Sequence, residues 1–298
     1  MQQFPLISVI TLNYNQTDAT CEFLESCKNL DYPDYEILIC DMNSGHSPEE
    51  AIKKVNHPAA RLIRSDKNLG FAGGNNLGMR EARGELFFLV NNDTVLPPDI
   101  LKVLASAFLE HENTGAISPK IKFYHHPDIL QYSGFTPFNF KTGRTFSPGY
   151  RQADNGKYDL ITETAGLHGC AMMVSREVYL LTGGLDERFF LYYEEWDWSE
   201  RIKKAGYKIL YCGKTQVLHK DSLTVGKSSS LKEFYINRNR ILFVRKHATK
   251  KELALFNLYY NLIAYPKNIL KYIVKGEIAL LKAYLKGVKE GKQLPLER

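Results

Sequence analysis

The chain has 298 residues, of which 44% are hydrophobic and 24% charged, with 21 glycines and 12 prolines. This composition is typical of globular domains and excludes collagen-like, disordered and small disulfide-stapled proteins. The five cysteines are odd in number and contain no C-x-x-C pair, which argues against a zinc knuckle or a redox dithiol and predicts reduced core residues.

The whole net charge of +6 lies in the C-terminal tail. Residues 1–249 carry 29 basic and 29 acidic side chains, whereas residues 250–298 carry 10 and 4. If 267–289 is one helix, its lysines share one face and its apolar residues lie opposite, as in helices that bind anionic membrane surfaces. The alternative is a terminal helix that packs its apolar face on the domain, and Gly276 could also break the helix. A nucleic-acid partner is not favoured, because the body of the chain carries no net charge and has no basic-aromatic RNA motif.

The sequence predicts a cytoplasmic protein that is held peripherally at the inner face of the membrane. No basic segment precedes the first apolar run, at residues 6–12, so no signal peptide is expected. The apolar stretch at 253–266 has 14 residues, fewer than the roughly 20 that a spanning helix needs.

Short apolar runs alternate with helical periodicity in the first half, which predicts βαβ units and a mostly parallel, Rossmann-like sheet flanked by helices. The predicted strands there are 6–14, 35–42, 61–64 and 85–90, and the predicted helices are 17–30, 48–55, 71–82 and a segment after Pro97-Pro98. Residues 124–163 have no helical period and are predicted to form irregular hairpins and loops beside the site. Beyond them we expect strands at 166–174 and 207–212, helices at 176–181 and 195–205, and only helices from 231. Two parts follow, a catalytic α/β domain over 1–230 and a helical region over 231–298, with a hinge at Ser228-Ser229-Ser230.

Three predicted strand ends are polar, and ligands of open parallel sheets gather at the carboxyl ends of strands. Residues 11–15 offer amides and an aromatic ring to a base, and Asp41 offers a carboxylate to a ribose or base. Residues 91–94 form a cluster of oxygen ligands suited to Mg²⁺ or Mn²⁺ on a diphosphate. Each segment could instead be a polar turn.

A glycine-rich segment at 68–76 could let backbone N–H groups approach phosphate or sugar at a helix start. It matches neither the P-loop nor the dinucleotide-binding motif.

An acidic group at Glu194, Glu195 and Asp197 follows an uncharged aromatic run. Carboxylates this close raise one another's pKa, and one of them beside aromatic surface suits a general base for a sugar hydroxyl. Acids that merely favour the helix dipole are the alternative. His219, at the end of a short apolar run, is either a neutral metal ligand or a structural histidine.

Together these segments resemble family 2 glycosyltransferases, especially the bacterial polysaccharide and rhamnosyltransferase-like branch, over roughly residues 4–247. Their order and spacing carry the resemblance: Asn13-Tyr14-Asn15, Asp41, 68–78, 91–94, 169–174, 183–186, 194–198, 206–207 and His219.

The resemblance implies a GT-A fold and inverting transfer of a sugar, rhamnose being one candidate, from a thymidine or uridine diphosphate donor to a saccharide or lipid-linked acceptor. It places a Mg²⁺ or Mn²⁺ ion at Asp93, His219 and Asn91, although Asn91 stands where the family motif begins with aspartate. Glu195 becomes the candidate base, Glu194 its partner and Asp197 a substitute. The residues expected to bind the nucleotide sugar are Thr11, Asn13, Asn15, Asp41, Asn68, Gly70, Asn76 and Asn92.

Two other functions stay open at this point. Asn91 and the glutamate at position 195 are compatible with a non-catalytic nucleotide-sugar-binding or scaffold protein at the membrane. A sugar-phosphate nucleotidyltransferase is the other, although the chain lacks a basic glycine-rich loop near its start. The sequence specifies no oligomeric state.

Overall fold

A computed structural model describes residues 4–220 and 229–296, so part of the predicted hinge at 228–230 lies outside the described residues. The strands are β1 (Ile7–Asn13), β2 (Tyr35–Asp41), β3 (Ala60–Arg64), β4 (Leu86–Val90), β5 (Thr94–Val95), β6 (Thr114–Phe123), β7 (His126–Tyr132), β8 (Ile161–Glu163), β9 (Ala171–Ser175) and β10 (Lys208–His219). The helices are α1 (Thr17–Cys27), α2 (Glu49–Val55), α3 (Gly70–Glu81), α4 (Ile100–Glu110), α5 (Arg176–Thr182), α6 (Glu194–Lys204), α7 (Ser230–His247), α8 (Lys250–Tyr259), α9 (Tyr265–Val274) and α10 (Ile278–Gln293), with a π-helical segment (Tyr260–Ala264) between α8 and α9.

The central sheet has the order β3-β2-β1-β4-β9-β6-β10-β5. Its first four strands are parallel, and all five residues of β4 are buried because helices cover both faces. β9 runs antiparallel between β4 and β6, and β5 runs antiparallel to β10, so the sheet is mixed, with its other strands in this order running in one direction. The α/β fold class is confirmed.

Two strands at the far side of the sheet differ from the sequence prediction. β6 was not predicted, since Pro119 and Lys120 interrupt its apolar run and proline is unusual inside a strand. Lys120 is nevertheless buried, paired with Asp154 at 2.8 Å. β10 continues to His219 instead of ending at residue 212, and it pairs antiparallel with β5 so that His219 lies opposite Thr94. This register brings His219 beside Asp93.

Residues 267–289 do not form one helix, because the chain breaks at Gly276, the alternative that the sequence left open. α9 ends at Val274, Gly276 adopts a left-handed φ of +68°, and α10 begins at Ile278. α10 packs against α7, where a Cβ at Gly287 would lie 2.5 Å from the Phe234 carbonyl oxygen. The break separates the lysines and apolar residues of α9 from those of α10.

The C-terminal helices share a hydrophobic core with the predicted catalytic segment. Phe189 and Trp196 of that segment pack in one buried cluster with Phe243 of α7 and Tyr284 of α10. The cluster also includes Phe138 from the inserted region. The C-terminal helices therefore pack directly against the segment that carries the predicted catalytic carboxylates. Among the described helices, none combines the length and apolar character needed to cross a bilayer.

Candidate active site

Asp41 lies at the carboxyl edge of the sheet, where protein groups already bind its carboxylate. The parallel register of β1 and β2 sets Asn13 beside it, and Asn13 Nδ2 donates to Asp41 Oδ1 at 2.8 Å. Ser44 Oγ donates to the same oxygen at 2.5 Å, and Arg64 Nε lies 3.2 Å from Oδ2. Both Asn13 and Asp41 are fully buried. Their arrangement stiffens the edge where a nucleoside was expected.

Several residues predicted to touch the nucleotide sugar instead brace neighbouring segments. Asn92 Nδ2 donates to Thr20 Oγ1 at 2.8 Å, and that hydroxyl donates to Asn13 Oδ1 at 2.9 Å. Thr11 is fully buried, and its hydroxyl has no hydrogen-bond partner among the described residues. Direct contact with a ligand is not supported for Thr11, Asn13 and Asn92, because their side chains are buried or used internally.

Asn76 likewise has a structural role. Its amide donates to the Leu185 carbonyl at 2.8 Å and to Glu187 Oε1 at 3.0 Å, and its oxygen accepts from the Leu185 N–H at 2.9 Å. The expected sugar contact is not supported, because the hydrogen-bonding groups of this side chain are engaged.

The glycine-rich turn before α3 supports an aromatic loop rather than presenting a free phosphate cradle. The N–H groups of Phe71 and Ala72 both donate to the Phe190 carbonyl, at 2.7 and 3.3 Å. Gly70 has a φ of +68°, and a Cβ there would lie 2.5 Å from Phe190. Asn68 and Asn15 remain exposed at this edge, where their oxygens accept hydrogen bonds from Gly70 and Gly45.

Asp93 and His219 form a buried pair. His219 Nε2 lies 3.2 Å from Asp93 Oδ1, but without hydrogen-bond alignment, so that oxygen has no hydrogen-bond partner among the described residues. His219 Nδ1 donates to Gln131 Oε1 at 2.9 Å, which aims Nε2 at Asp93. Burial opposes the charged ring, yet Cys170 and Asp93 raise the pKa of His219 well above its usual value.

This pair fits a divalent cation. Adjacent ligands of an octahedral ion with bonds of about 2.1 Å stand about 3 Å apart, close to the observed separation of Nε2 and Oδ1. Asn91 is half-buried two residues before Asp93. No group of three or more acidic, histidine or cysteine side chains that could hold a metal ion is found in the described ranges.

Glu194 and Glu195 are adjacent carboxylates in the first turn of α6. Burial raises the pKa of Glu195 to about 7, although the backbone N–H groups at the helix start favour its charged form. Burial and the adjacent Glu195 charge raise the pKa of Glu194 well above its usual value. Glu194 is the more deeply buried, whereas Glu195 lines an open pocket. A carboxyl group poised near neutral pH can accept a proton from an acceptor hydroxyl.

Asp197 is a structural anchor and not a substitute base. It is fully buried, and Arg201, Lys246 and His247 approach its oxygens at 2.8, 2.6 and 2.7 Å. Burial alone would raise its pKa, but hydrogen bonding to His247 and the charges of Arg201 and Lys246 lower it to about 2. The carboxylate joins α6 to α7.

The loop before α6 is strained, and α7 holds it in place. Phe190, Tyr192 and Tyr193 all have positive φ, at 63°, 71° and 76°, a region that costs non-glycine residues free energy. Asn239 Nδ2 donates to the carbonyls of Phe189, Leu191 and Tyr192 at 2.8, 2.8 and 2.7 Å.

Arg238, the residue before Asn239, also donates to the Phe189 carbonyl, at 2.8 Å. Neither residue was among those predicted from the sequence. The available signal was the polar run at 237–240, which lies between the apolar segments 234–236 and 241–244 of α7.

Glu195 and the Asp93–His219 pair adjoin one stretch of backbone. A Cβ at Gly169 would lie 3.9 Å from Glu195 Cδ, and the next residue, Cys170, contributes to the His219 environment. The Cys170 carbonyl accepts the Asn91 N–H at 2.9 Å. Glu195 and the Asp93–His219 pair therefore flank the Gly169–Cys170 segment.

Sequence comparison defines the family to which this α/β protein belongs. The profile described as "Glycosyl transferase family 2" matches residues 8–180, more than half of the chain. The chain belongs to glycosyltransferase family 2 and is a glycosyltransferase.

Two relatives illustrate the similarity. The chain is 28% identical over 245 residues to a low-salt glycan biosynthesis hexosyltransferase, Agl10, of Haloferax volcanii, covering 79% of this chain and 74% of the relative. It is 25% identical over 248 residues to an N-acetylglucosaminyl-diphospho-decaprenol L-rhamnosyltransferase of Mycobacterium tuberculosis, covering 74% and 78%.

Solved structures establish the GT-A fold. The mannosyltransferase PcManGT of Pyrobaculum calidifontis, in complex with GDP-Man and Mn²⁺, superposes with a TM-score of 0.58 at 17% identity, over 98% of this chain and 85% of that chain. S. aureus TarS 1-349 in complex with UDP-GlcNAc gives a TM-score of 0.59 at 15% identity, over 95% and 81%.

Proposed function

We propose that this enzyme transfers a sugar, with inversion, from a thymidine or uridine diphosphate donor to a hydroxyl of a growing glycan or lipid-linked acceptor. Rhamnose is one candidate sugar, in keeping with the rhamnosyltransferase relative. Glu195 lies beside Gly169, and His219, the partner of Asp93, lies beside Cys170; the closeness of both groups to this short segment carries the proposal.

Glu195 acts as the general base. Its carboxylate takes the proton from the acceptor hydroxyl, whose oxygen attacks the anomeric carbon while the bond to the nucleoside diphosphate breaks on the opposite side. The anomeric configuration inverts because attack and departure occupy opposite faces. The raised pKa of Glu195 suits this proton transfer near neutral pH.

Asp93 and His219 would hold a Mg²⁺ or Mn²⁺ ion, with Asn91 nearby. A bound ion supplies neutralisation of the charge that develops on the departing diphosphate. Because Gln131 accepts the Nδ1 proton of His219, loss of the other ring proton would leave the lone pair for the ion on Nε2, the nitrogen that faces Asp93. Holding the diphosphate here would place the sugar between the pair and Glu195.

The decisive experiment compares wild type with Glu195→Gln in a radiolabelled donor assay on a glycan extract. We expect transfer to fall by about 10²- to 10⁴-fold, since the amide cannot accept the proton, while the nucleoside diphosphate still raises the melting temperature. Glu200→Gln, on the same helix but paired with Lys203, is the matched control.

Transfer by Glu195→Gln at the wild-type rate would contradict the mechanism. Absence of donor turnover with every acceptor would favour the scaffold function. Pyrophosphate release from a sugar phosphate and a nucleoside triphosphate would favour the nucleotidyltransferase.

We also propose that the enzyme binds the cytoplasmic membrane surface through α8, the π-helical segment and α9. Leu262 and Val274 are 68% and 76% exposed, beside the exposed Lys267 and Lys271. Together, inserted aliphatic side chains and surface lysines bind anionic bilayers. The exposed aliphatic residues of this surface are Leu258, Leu262, Ile263, Leu270, Ile273 and Val274.

Sedimentation with phosphatidylcholine vesicles, with and without phosphatidylglycerol, tests this surface. We expect binding only to the anionic vesicles, and the double variant Leu262→Ser, Val274→Ser should lose about tenfold in affinity or more through lost apolar insertion. Leu180→Ser removes an equally exposed leucine on α5 and is the control. Equal binding by both variants would contradict the assignment.

A further inference from the structure

A pocket of about 270 Å³ opens beside Glu195, between the start of α6, α7 and the inserted region. Tyr192, Tyr193 and Trp196 form part of its wall, and residues 143–145 of the insertion form another part. Aromatic walls with a few polar groups are typical of sites for small organic ligands. None of the residues lining this pocket belongs to the Asp93–His219 pair or to the Asp41 network.

Arg240 contributes a guanidinium group to this pocket. Its Nε donates to the Tyr193 hydroxyl at 3.1 Å and its Nη1 to Asn237 Oδ1 at 3.4 Å. The inserted turn packs on the aliphatic part of the Arg240 side chain, since a Cβ at Gly143 would lie 3.1 Å from Arg240 Cδ. Nη2 has no protein partner among the described residues, so donors of the guanidinium remain available.

Arg144 adds a second cation from a separate element. It is exposed at the end of the inserted turn, where it pairs with Asn139, and it lines the same pocket. Neither Arg144 nor Arg240 forms an ion pair with any carboxylate of residues 4–220 and 229–296. The groups that most affect Arg240 are tyrosine hydroxyls, those of Tyr193, Tyr260 and Tyr284. Glu195 is the one carboxylate among the residues that line this pocket, so the two guanidinium groups outnumber it and favour an anionic ligand.

We propose that this pocket binds a phosphate or diphosphate group attached to the acceptor sugar, a specificity that depends on the sugar-transfer function above. Guanidinium groups bind phosphate through paired N–H donors, which favours arginine at such sites. With the phosphate on Arg240 and Arg144, the acceptor sugar lies against Trp196 and Tyr192, and its hydroxyl reaches Glu195. The donor's diphosphate belongs to Asp93 and His219, so the two anionic groups occupy separate places.

Paired acceptors test the proposal. One carries N-acetylglucosamine on a diphosphate with a short isoprenoid chain, and the other is the uncharged octyl glycoside of the same sugar. We expect kcat/KM to favour the diphosphate acceptor, and the ratio of the two values to fall about 10- to 100-fold in Arg240→Gln through loss of charged hydrogen bonds. Arg240→Lys should recover part of the ratio. N-acetylglucosamine 1-phosphate distinguishes a soluble phosphorylated acceptor from a lipid-linked one.

Two further variants keep the result interpretable. Arg144→Gln alters only the exposed turn and should lower the same ratio even if Arg240→Gln fails to fold. Arg151→Gln changes an arginine of the insertion that does not line the pocket, and its ratio should equal that of wild type.

Three results would overturn the proposal. Wild type uses both acceptors equally well, the ratio of the two kcat/KM values is unchanged in both Arg240→Gln and Arg144→Gln, or the enzyme prefers a uronic acid glycoside to the phosphorylated acceptor. Calorimetric titration with inorganic pyrophosphate in EDTA separates this site from the transfer reaction. Binding that Arg240→Gln and Arg144→Gln weaken supports the pocket even if no sugar is transferred. If pyrophosphate does not bind while the enzyme still turns over its donor, the pocket is not an anion-binding site, but the assignment of the protein as a glycosyltransferase is unaffected.

Discussion

Replacing Asn239 with alanine tests whether α7 maintains the geometry of the catalytic segment. The amide of Asn239 reaches three carbonyl groups of the 189–192 loop, at 2.7–2.8 Å. The loop continues through Tyr193 to Glu194, and three of its non-glycine residues, Phe190, Tyr192 and Tyr193, have positive φ. The side chain is fully buried, so water does not replace its hydrogen bonds in the intact structure.

The expected effect follows from these contacts. The hydrogen bonds of the two amide hydrogens stabilise the observed loop conformation by about 1 kcal/mol each, or about 2 kcal/mol together. The left-handed conformations of Phe190, Tyr192 and Tyr193 cost about 1 kcal/mol each. Without the Asn239 hydrogen bonds, we therefore expect the loop to change to a less strained conformation. A loss of about 2 kcal/mol in the competent conformation corresponds to a fall of about 30-fold in kcat.

Nucleoside diphosphate release at saturating donor and acceptor gives kcat, and donor titration gives KM. Asn239→Ala should lower kcat more than it raises the donor KM, and Asn239→Asp, which keeps the shape but not the donors, should behave in the same way. Asn268→Ala removes a hydrogen bond to Tyr284 in the tail and controls for general destabilisation. A kcat within twofold of wild type in a folded Asn239→Ala protein would refute the positioning role.

Three further predictions concern charge. Because only deprotonated Glu195 accepts a proton and its pKa is about 7, kcat/KM should rise with pH, from about a tenth of its maximum at pH 6 to about nine-tenths at pH 8; a flat profile would contradict the assignment. Mn²⁺ should raise the melting temperature of the nucleoside diphosphate complex in wild type but not in Asp93→Asn or His219→Ala, as differential scanning fluorimetry would record. The lowered pKa of Asp197, about 2, stabilises the fold above pH 4 by about 2 kcal/mol, a contribution that is lost as the pH falls through 2. Asp197→Asn should therefore unfold at a lower denaturant concentration at pH 7, and the difference from wild type should narrow in acid.

The sequence was most informative where local patterns determine structure. The alternation of apolar runs and helical periods located the parallel strands of the first half, because buried strands and amphipathic helices differ in period. It was less informative for β6, whose buried Lys120 is paired with residues that lie far along the chain. The carboxylates at 194–197 were found as a group, but only burial and partners separate the base candidate Glu195 from the anchored Asp197.

The sequence by itself determined the α/β class, the family and the order of polar strand ends, since these depend on residue type and spacing along the chain. Only the tertiary structure decided which of those polar groups meet. Strand register places His219 beside Asp93, and a C-terminal helix supplies Asn239 to the strained loop and Arg240 to the pocket. Contacts of this kind join residues that are distant in the chain, and a hydrophobic pattern specifies which face of an element is buried but not which partner covers it.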